Sequence, residues 1–191
     1  MKRRSMWAGI AAAVAVSSGV AVWALQSPSA GPTESKAQNT KSAGALLKSA
    51  IEHQVHQDLQ GAGEDYRRVL ELDPKNKNAW YGLGVIEQQQ GRTANAQANF
   101  DKALAIDPHF MSALYSEAFM VRASDPDRAI DLLKRGATAD PKAAAIHLQL
   151  GQLLAETNRK DEAEDAFRHA VSADHRLLTQ VPEEFRDTVS H

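Results

Sequence analysis

The chain contains no cysteine in 191 residues, which excludes disulfides and thiolate metal sites within it and leaves the redox compartment open. It also lacks a basic surplus. Lys2, Arg3 and Arg4 are the only charges before Glu34, and the remainder carries 19 basic against 24 acidic residues. An acidic balance of that kind argues against a sequence-independent nucleic-acid binder, which presents a basic stripe. Catalytic signatures are missing as well: there is no nucleophile elbow, phosphate loop, HExxH or paired-glycine fingerprint. His53 and His56 share a helix face beside Glu52, but two nitrogens without a third ligand do not make a metal site. His109, His169 and His175 are scattered. No enzyme activity, cofactor or metal is therefore expected.

The third absence is charge between Arg4 and Glu34. Residues Ser5 to Leu25 form 21 uncharged residues flanked by Trp7 and Trp23, long enough to cross a hydrocarbon core with tryptophans suited to its interfaces. The segment is alanine, glycine, valine and serine rather than leucine. A cleaved signal peptide is the alternative, with Val22-Trp23-Ala24 fitting a cleavage site, although the run exceeds the roughly 7 to 15 residues usual for a signal core. Residues 1–25 are read as an uncleaved signal anchor. The basic cluster places the amino terminus in the cytoplasm by the positive-inside rule, and the rest of the chain outside. Residues 26–43, rich in serine, proline and threonine without apolar periodicity, read as an unordered tether.

Beyond the tether the chain repeats. Pro74, Pro108 and Pro141 each follow aspartate, and His175 takes the next proline slot after Asp174, at spacings of 34, 33 and 34 residues. Between Asn78 and Pro108, Trp80, Leu83 and Gly84 stand as W-x2-L-G, with Ala96 and Phe100 as A-x3-F. The small-then-large pair returns as Ala62 and Tyr66, Ala129 and Leu133, and Ala163 and Phe167. Small residues also recur at Ala50, Gly84, Ala118 and Gly151 in one set of helices and at Val69, Ala103, Gly136 and Ala170 in the other. Leu46, Trp80, Leu114 and His147 share the tryptophan slot. Small residues where helices cross and large ones a turn further on are what ridges-into-grooves packing requires.

With this period and these motifs the chain resembles the tetratricopeptide repeat (TPR) family over residues 43 to 177. Its layout is similar to anchored bacterial members. The first unit departs from the pattern at Ser49, and the third has Glu117 at the leucine position and is one residue short. The expected fold class is all-α: a TPR helix-turn-helix solenoid of about four repeats over residues 44–177, following an amino-terminal transmembrane helix. Paired helices are expected near 44–56 and 60–72, 78–90 and 93–106, 111–123 and 126–138, and 143–156 and 160–173. A capping helix from about 182 within residues 178–191 would cover the last face. Gly61 and Gly63 weaken their helix, each by about 1 kcal/mol relative to alanine. Gly91 and Asn158 are expected to turn the chain between helices.

The resemblance implies a concave groove on the first helices that holds a peptide or a partner helix. Carried over by phase, its residues are Leu47, Ile51, Asn78, Tyr81, Val85, Gln88, Ser112, Tyr115, Phe119, Arg122, Leu148 and Gln152. Family members that clamp acidic tails carry lysine, asparagine and arginine here. This chain has Leu47, Ile51, Gly82, Ser112 and Ser116 at the equivalent places, so a free carboxylate ligand is not expected. The implied function is a non-enzymatic scaffold held at a membrane, with another protein and the membrane as partners and no nucleic acid. The alternative is an element that assembles with its own copies, through the repeats or through Gly9, Ser17 and Gly19 of the anchor.

Overall fold

The computed structural model describes residues 32–190, which form helices without a strand among them. Four antiparallel hairpins follow one another: α1 (Pro32–Val55) with α2 (Leu59–Leu72), α3 (Lys77–Gln89) with α4 (Thr93–Ile106), α5 (Met111–Val121) with α6 (Pro126–Ala139), and α7 (Ala144–Glu156) with α8 (Lys160–Ala173). A 3-10 turn (His175–Gln180) and a short α9 (Glu183–Val189) close the array. The sequence-based boundaries agree with these within two residues, except at the start. There α1 begins at Pro32, so residues 32–43, expected as part of the tether, are helical. The expected anchor and the first part of the tether lie outside the described residues, and no described helix is long and apolar enough to cross a membrane.

The repeating aspartate explains how each hairpin hands over to the next. The backbone N–H groups of Asp73, Asp107, Asp140 and Asp174 close their helices on the carbonyls of Val69, Ala103, Gly136 and Ala170. Each aspartate side chain then accepts the N–H two residues on, at 3.2, 3.0, 3.0 and 3.0 Å. This is an Asx turn. It survives at Asp174 with histidine in the proline slot, so the aspartate makes the turn; without proline the chain runs straight into 3-10 helix.

Proline carbonyls in these turns are tied back to the helices. Trp80 donates its indole N–H to the Pro74 carbonyl at 3.0 Å, and His147 donates from Nε2 to that of Pro141 at 3.2 Å. Leu114 occupies the same slot in the third repeat and has no N–H to give. There Arg135 reaches the Pro108 carbonyl instead, at 3.1 Å. Histidine at this slot thus acts as a smaller tryptophan.

Within the hairpins, three turns share one geometry. Gln57, Gly91 and Asn158 have φ of 60°, 72° and 61°, and the next residue's N–H returns to the carbonyl five back (Asp58 to His53, Arg92 to Glu87, Arg159 to Leu154) at 2.9, 2.9 and 2.8 Å. These are Schellman closures around a left-handed residue. The third repeat's missing residue falls at this turn. Asp125 instead closes on Val121 at 2.7 Å, no left-handed residue is needed, and α5 is shorter.

Burial follows the expected slots. Ala50, Val69, Ala103, Ala118 and Ala170 are buried, as are Phe100 and Phe167. A Cβ on Gly84 would stand 2.5 Å from the Phe100 ring, and one on Gly151 would stand 2.6 Å from Phe167, so glycine is required where phenylalanine is the large partner. Gly61 corrects the expectation of a merely weakened helix. Its N–H caps on Asp58 Oδ1 at 2.9 Å, and a Cβ would lie 2.4 Å from the other Asp58 oxygen and 2.9 Å from His53. His53 holds that aspartate at 2.8 Å, which gives it a turn-stabilising task.

Candidate functional site: the inner wall of the first helices

Helices α3 and α5 touch each other directly, so the first helices of the hairpins form an inner wall and the second helices lie outside it. Open furrows of about 620 and 480 Å³ separate α2 from α4 and α6 from α8 on the outer side. Lys102 lies over the Trp80 ring at 4.0 Å in the first, and His169 stacks on His147 at 5.1 Å in the second. Burial pushes the His147 pKa down from the ordinary histidine value, opposed by its bond to the Pro141 carbonyl.

On the inner wall, large exposed apolar side chains come in pairs one helical turn apart. Ile51 and Val55 on α1 are 49% and 74% exposed, and Tyr115 and Phe119 on α5 are 41% and 65% exposed. Leu47, Tyr81 and Val85 are half-buried and fill the rows between. By repeat phase, Leu47, Tyr81 and Tyr115 form one row across the helices, and Ile51, Val85 and Phe119 the next. Tyr81 is fixed: its ring meets Phe110 edge-on at 5.5 Å and tilts against Phe100 at 5.8 Å, and its hydroxyl is 3.3 Å from that of Ser116.

Both rows stop at α7. Leu148, expected in the groove, is 3% exposed and belongs to the core, so it supports the wall from beneath and is withheld from any partner. A reason is visible in the repeat phase. Phe110, Ala143 and Leu177 share one slot at the start of successive units; Phe110 meets the Tyr81 ring, Leu177 packs against the core cluster to which Leu148 belongs, and at Ala143 the slot holds only a methyl group beside exposed Tyr115. Arg122 pairs with Glu156 through two nitrogens and reaches Gln149 at 3.4 Å, and Gln149 donates to Gln152 at 3.2 Å. Asn78 and Ser112 are exposed at the margin, and Gln88 is half-buried. Sequence reasoning missed Val55, Gln149 and Glu156. Val55 was findable as the residue one turn beyond Ile51, whereas the Arg122 pair depends on how α5 and α7 lie together.

Beneath the strip, Glu117 is buried with 0% exposure and accepts from Arg128 Nε at 2.7 Å; Arg128 also reaches Asp101 at 2.7 Å. The second carboxylate oxygen of Glu117 has no partner. Burial pushes the Glu117 carboxyl up from the usual range against the pull of Arg128, while the pair raises Arg128 in turn. This network stands where the second and fourth repeats have Leu83 and Leu150, and it joins α4, α5 and α6. No group of three or more metal-ligating side chains occurs among the described residues.

A hairpin array with an apolar inner wall is the architecture of a helical-repeat solenoid. Tetratricopeptide repeat models match residues 47–109 and 120–187, together more than half of the chain. The chain belongs to the tetratricopeptide repeat family. Among curated relatives, it is 26% identical over 114 residues to anaphase-promoting complex subunit 3 of Schizosaccharomyces pombe, covering 59% of this chain and 17% of that protein. It is 30% identical over 110 residues to cellulose synthase operon protein C of Escherichia coli (strain K12), covering 58% and 8%. The chain thus spans less than a fifth of the length of these two relatives. Its fold is similar to the crystal structure of MamA protein (TM-score 0.66, 19% identity, 79% of this chain and 87% of that one). It is also similar to that of YrrB, described as a TPR protein with an unusual peptide-binding site (TM-score 0.63, 23% identity, 77% and 76%).

Proposed function

We propose that the protein is a scaffold whose inner wall recruits another polypeptide, without catalysis of its own, and that its amino-terminal segment holds it at a membrane with the repeats on the extracytoplasmic side. The observation that carries the recruiting role is that four of the five exposed large hydrophobic side chains among the described residues, Ile51, Val55, Tyr115 and Phe119, stand on first helices, with half-buried Tyr81 and Val85 between them. Contiguous exposed apolar surface marks an interaction site where scattered single residues do not. The peptide-binding site described for YrrB supports the same reading. The membrane role rests on the uncharged run from Ser5 to Leu25 behind three basic residues.

Tyr81 is a poor probe of this function because its ring is part of the packing. Replacing Tyr115 and Phe119 together with serine removes exposed apolar area from the strip. Affinity capture from membranes should then lose the partner while circular dichroism is unchanged. Undiminished capture would remove the inner wall from the account. Fractionation with and without residues 1–25 tests the tether: the full chain should sediment with membranes and the truncated chain should not.

A further inference from the structure

We infer that the strip takes an amphipathic α-helix of about four turns whose groove-facing stripe is apolar and uncharged; this deepens, and rests on, the recruiting role proposed above. Three observations lead there. The first is charge. Lys48 pairs with Glu52 at 3.6 Å at one end of the strip, and Arg122 pairs with Glu156 at the other. Each charge is matched within the chain, so a charged partner residue laid over the strip would be desolvated with no counter-charge to meet it.

The second is hydrogen bonding. A bound polypeptide loses water from its own N–H and C=O groups, and these need partners. An extended chain presents like groups about every 6.6 Å, whereas the first helices that would serve it lie about 10 Å apart. Between the two ends the wall's own groups are engaged with each other: Gln149 donates to Gln152 and accepts from Arg122, and the Tyr81 and Ser116 hydroxyls bond to each other, which leaves Asn78 and Ser112 at the margin to meet a bound backbone. A helix brings its backbone already satisfied and asks only for apolar contact.

The third is length. From α1 to α5 the strip crosses two helix spacings, about 20 Å, which a helix covers in about 13 residues. Its two exposed ends, Ile51 with Val55 and Tyr115 with Phe119, match a partner with large apolar residues at both ends.

The test uses the full chain in lipid nanodiscs, with empty nanodiscs as control, and three fluorescein-labelled 14-residue peptides followed by anisotropy. One has leucines at helix spacing along one face, one carries lysine at the centre of that face, and one holds the same residues with two prolines that keep it extended. Saturable binding of the first is expected, weakened about tenfold by the central lysine, about tenfold by Phe119→Ser and less by Val55→Ser, with peptide helicity rising on binding. Equal binding of the lysine peptide, or preference for the proline peptide, overturns the inference. If the proline peptide binds in a Phe119-dependent way, the recruiting role stands and the helical partner falls. If no peptide binds, or all bind regardless of Phe119→Ser, both fall.

Discussion

The second and third repeats solve the same packing problem with different chemistry. In the second, Trp80, Leu83 and Gly84 fill the family slots, Gly91 turns the chain with φ of 72°, and the Phe100 ring lies where Gly84 has no side chain. In the third, Leu114 and buried Glu117 stand at the first two slots, the turn residue is absent, and Arg128 and Arg135 do what an indole and a leucine do elsewhere. The repeat geometry is therefore set by which bonds are closed at each slot, and residue type can change if a neighbour changes with it. Buried charge in the third repeat needs its partner, while buried ring in the second needs its glycine.

That contrast predicts the largest effect at Arg128. Arg128→Ala strands the Glu117 carboxylate and should cost about 3 kcal/mol in urea unfolding, whereas replacing Glu117 and Arg128 together with leucine should be neutral or stabilising. A double variant as unstable as the single would show that the ion pair itself, and not the stranded charge, decides. Next, Gly84→Ala drives a Cβ into Phe100 and should lose about 2 kcal/mol, with much of that recovered when Phe100→Leu is added. Full additivity of those two substitutions would refute the proposed ring-and-glycine coupling. Gly91→Ala should cost about 1 kcal/mol from its left-handed backbone, and Ser124→Ala, in the turn without such a residue, less, its only loss being the 3.2 Å bond from the hydroxyl to the Val121 carbonyl.

The smallest effect concerns pH. His147 is held below its ordinary value by burial, so its contribution is present above the unfolded value of about 6.5 and is lost as pH falls through the lower folded one. His147→Trp keeps the N–H for Pro141 and should flatten that part of the loss of stability on acidification from pH 7. An unchanged slope would place the sensitivity on other groups.

Much of this was legible in the sequence because the Asp-Pro period and the small-large pairs report slots that every hairpin must fill. Helix limits from α2 onward, the left-handed turns at Gly91 and Asn158, and His147 as a packing residue all follow from that phase, whereas the start of α1 at Pro32 does not. The Gln57 turn was not, since glutamine carries no turn signal, and the roles of Gly61 and His53 depend on a cap visible only in three dimensions. The groove was half legible. Phase located Ile51, Tyr115 and Phe119 on the first helices, but it could not tell that Leu148 lies in the core while Tyr115, one repeat earlier, is exposed.

The central claim is that the inner wall, and not the outer face of the second helices, meets the partner. Placing a photo-crosslinking amino acid at Phe119 and, separately, at the exposed Asp131 of α6, then irradiating intact membranes, tests it directly. A protein adduct at position 119 that is absent from position 131 is the expected result. Adducts at 131 with none at 119 would contradict it.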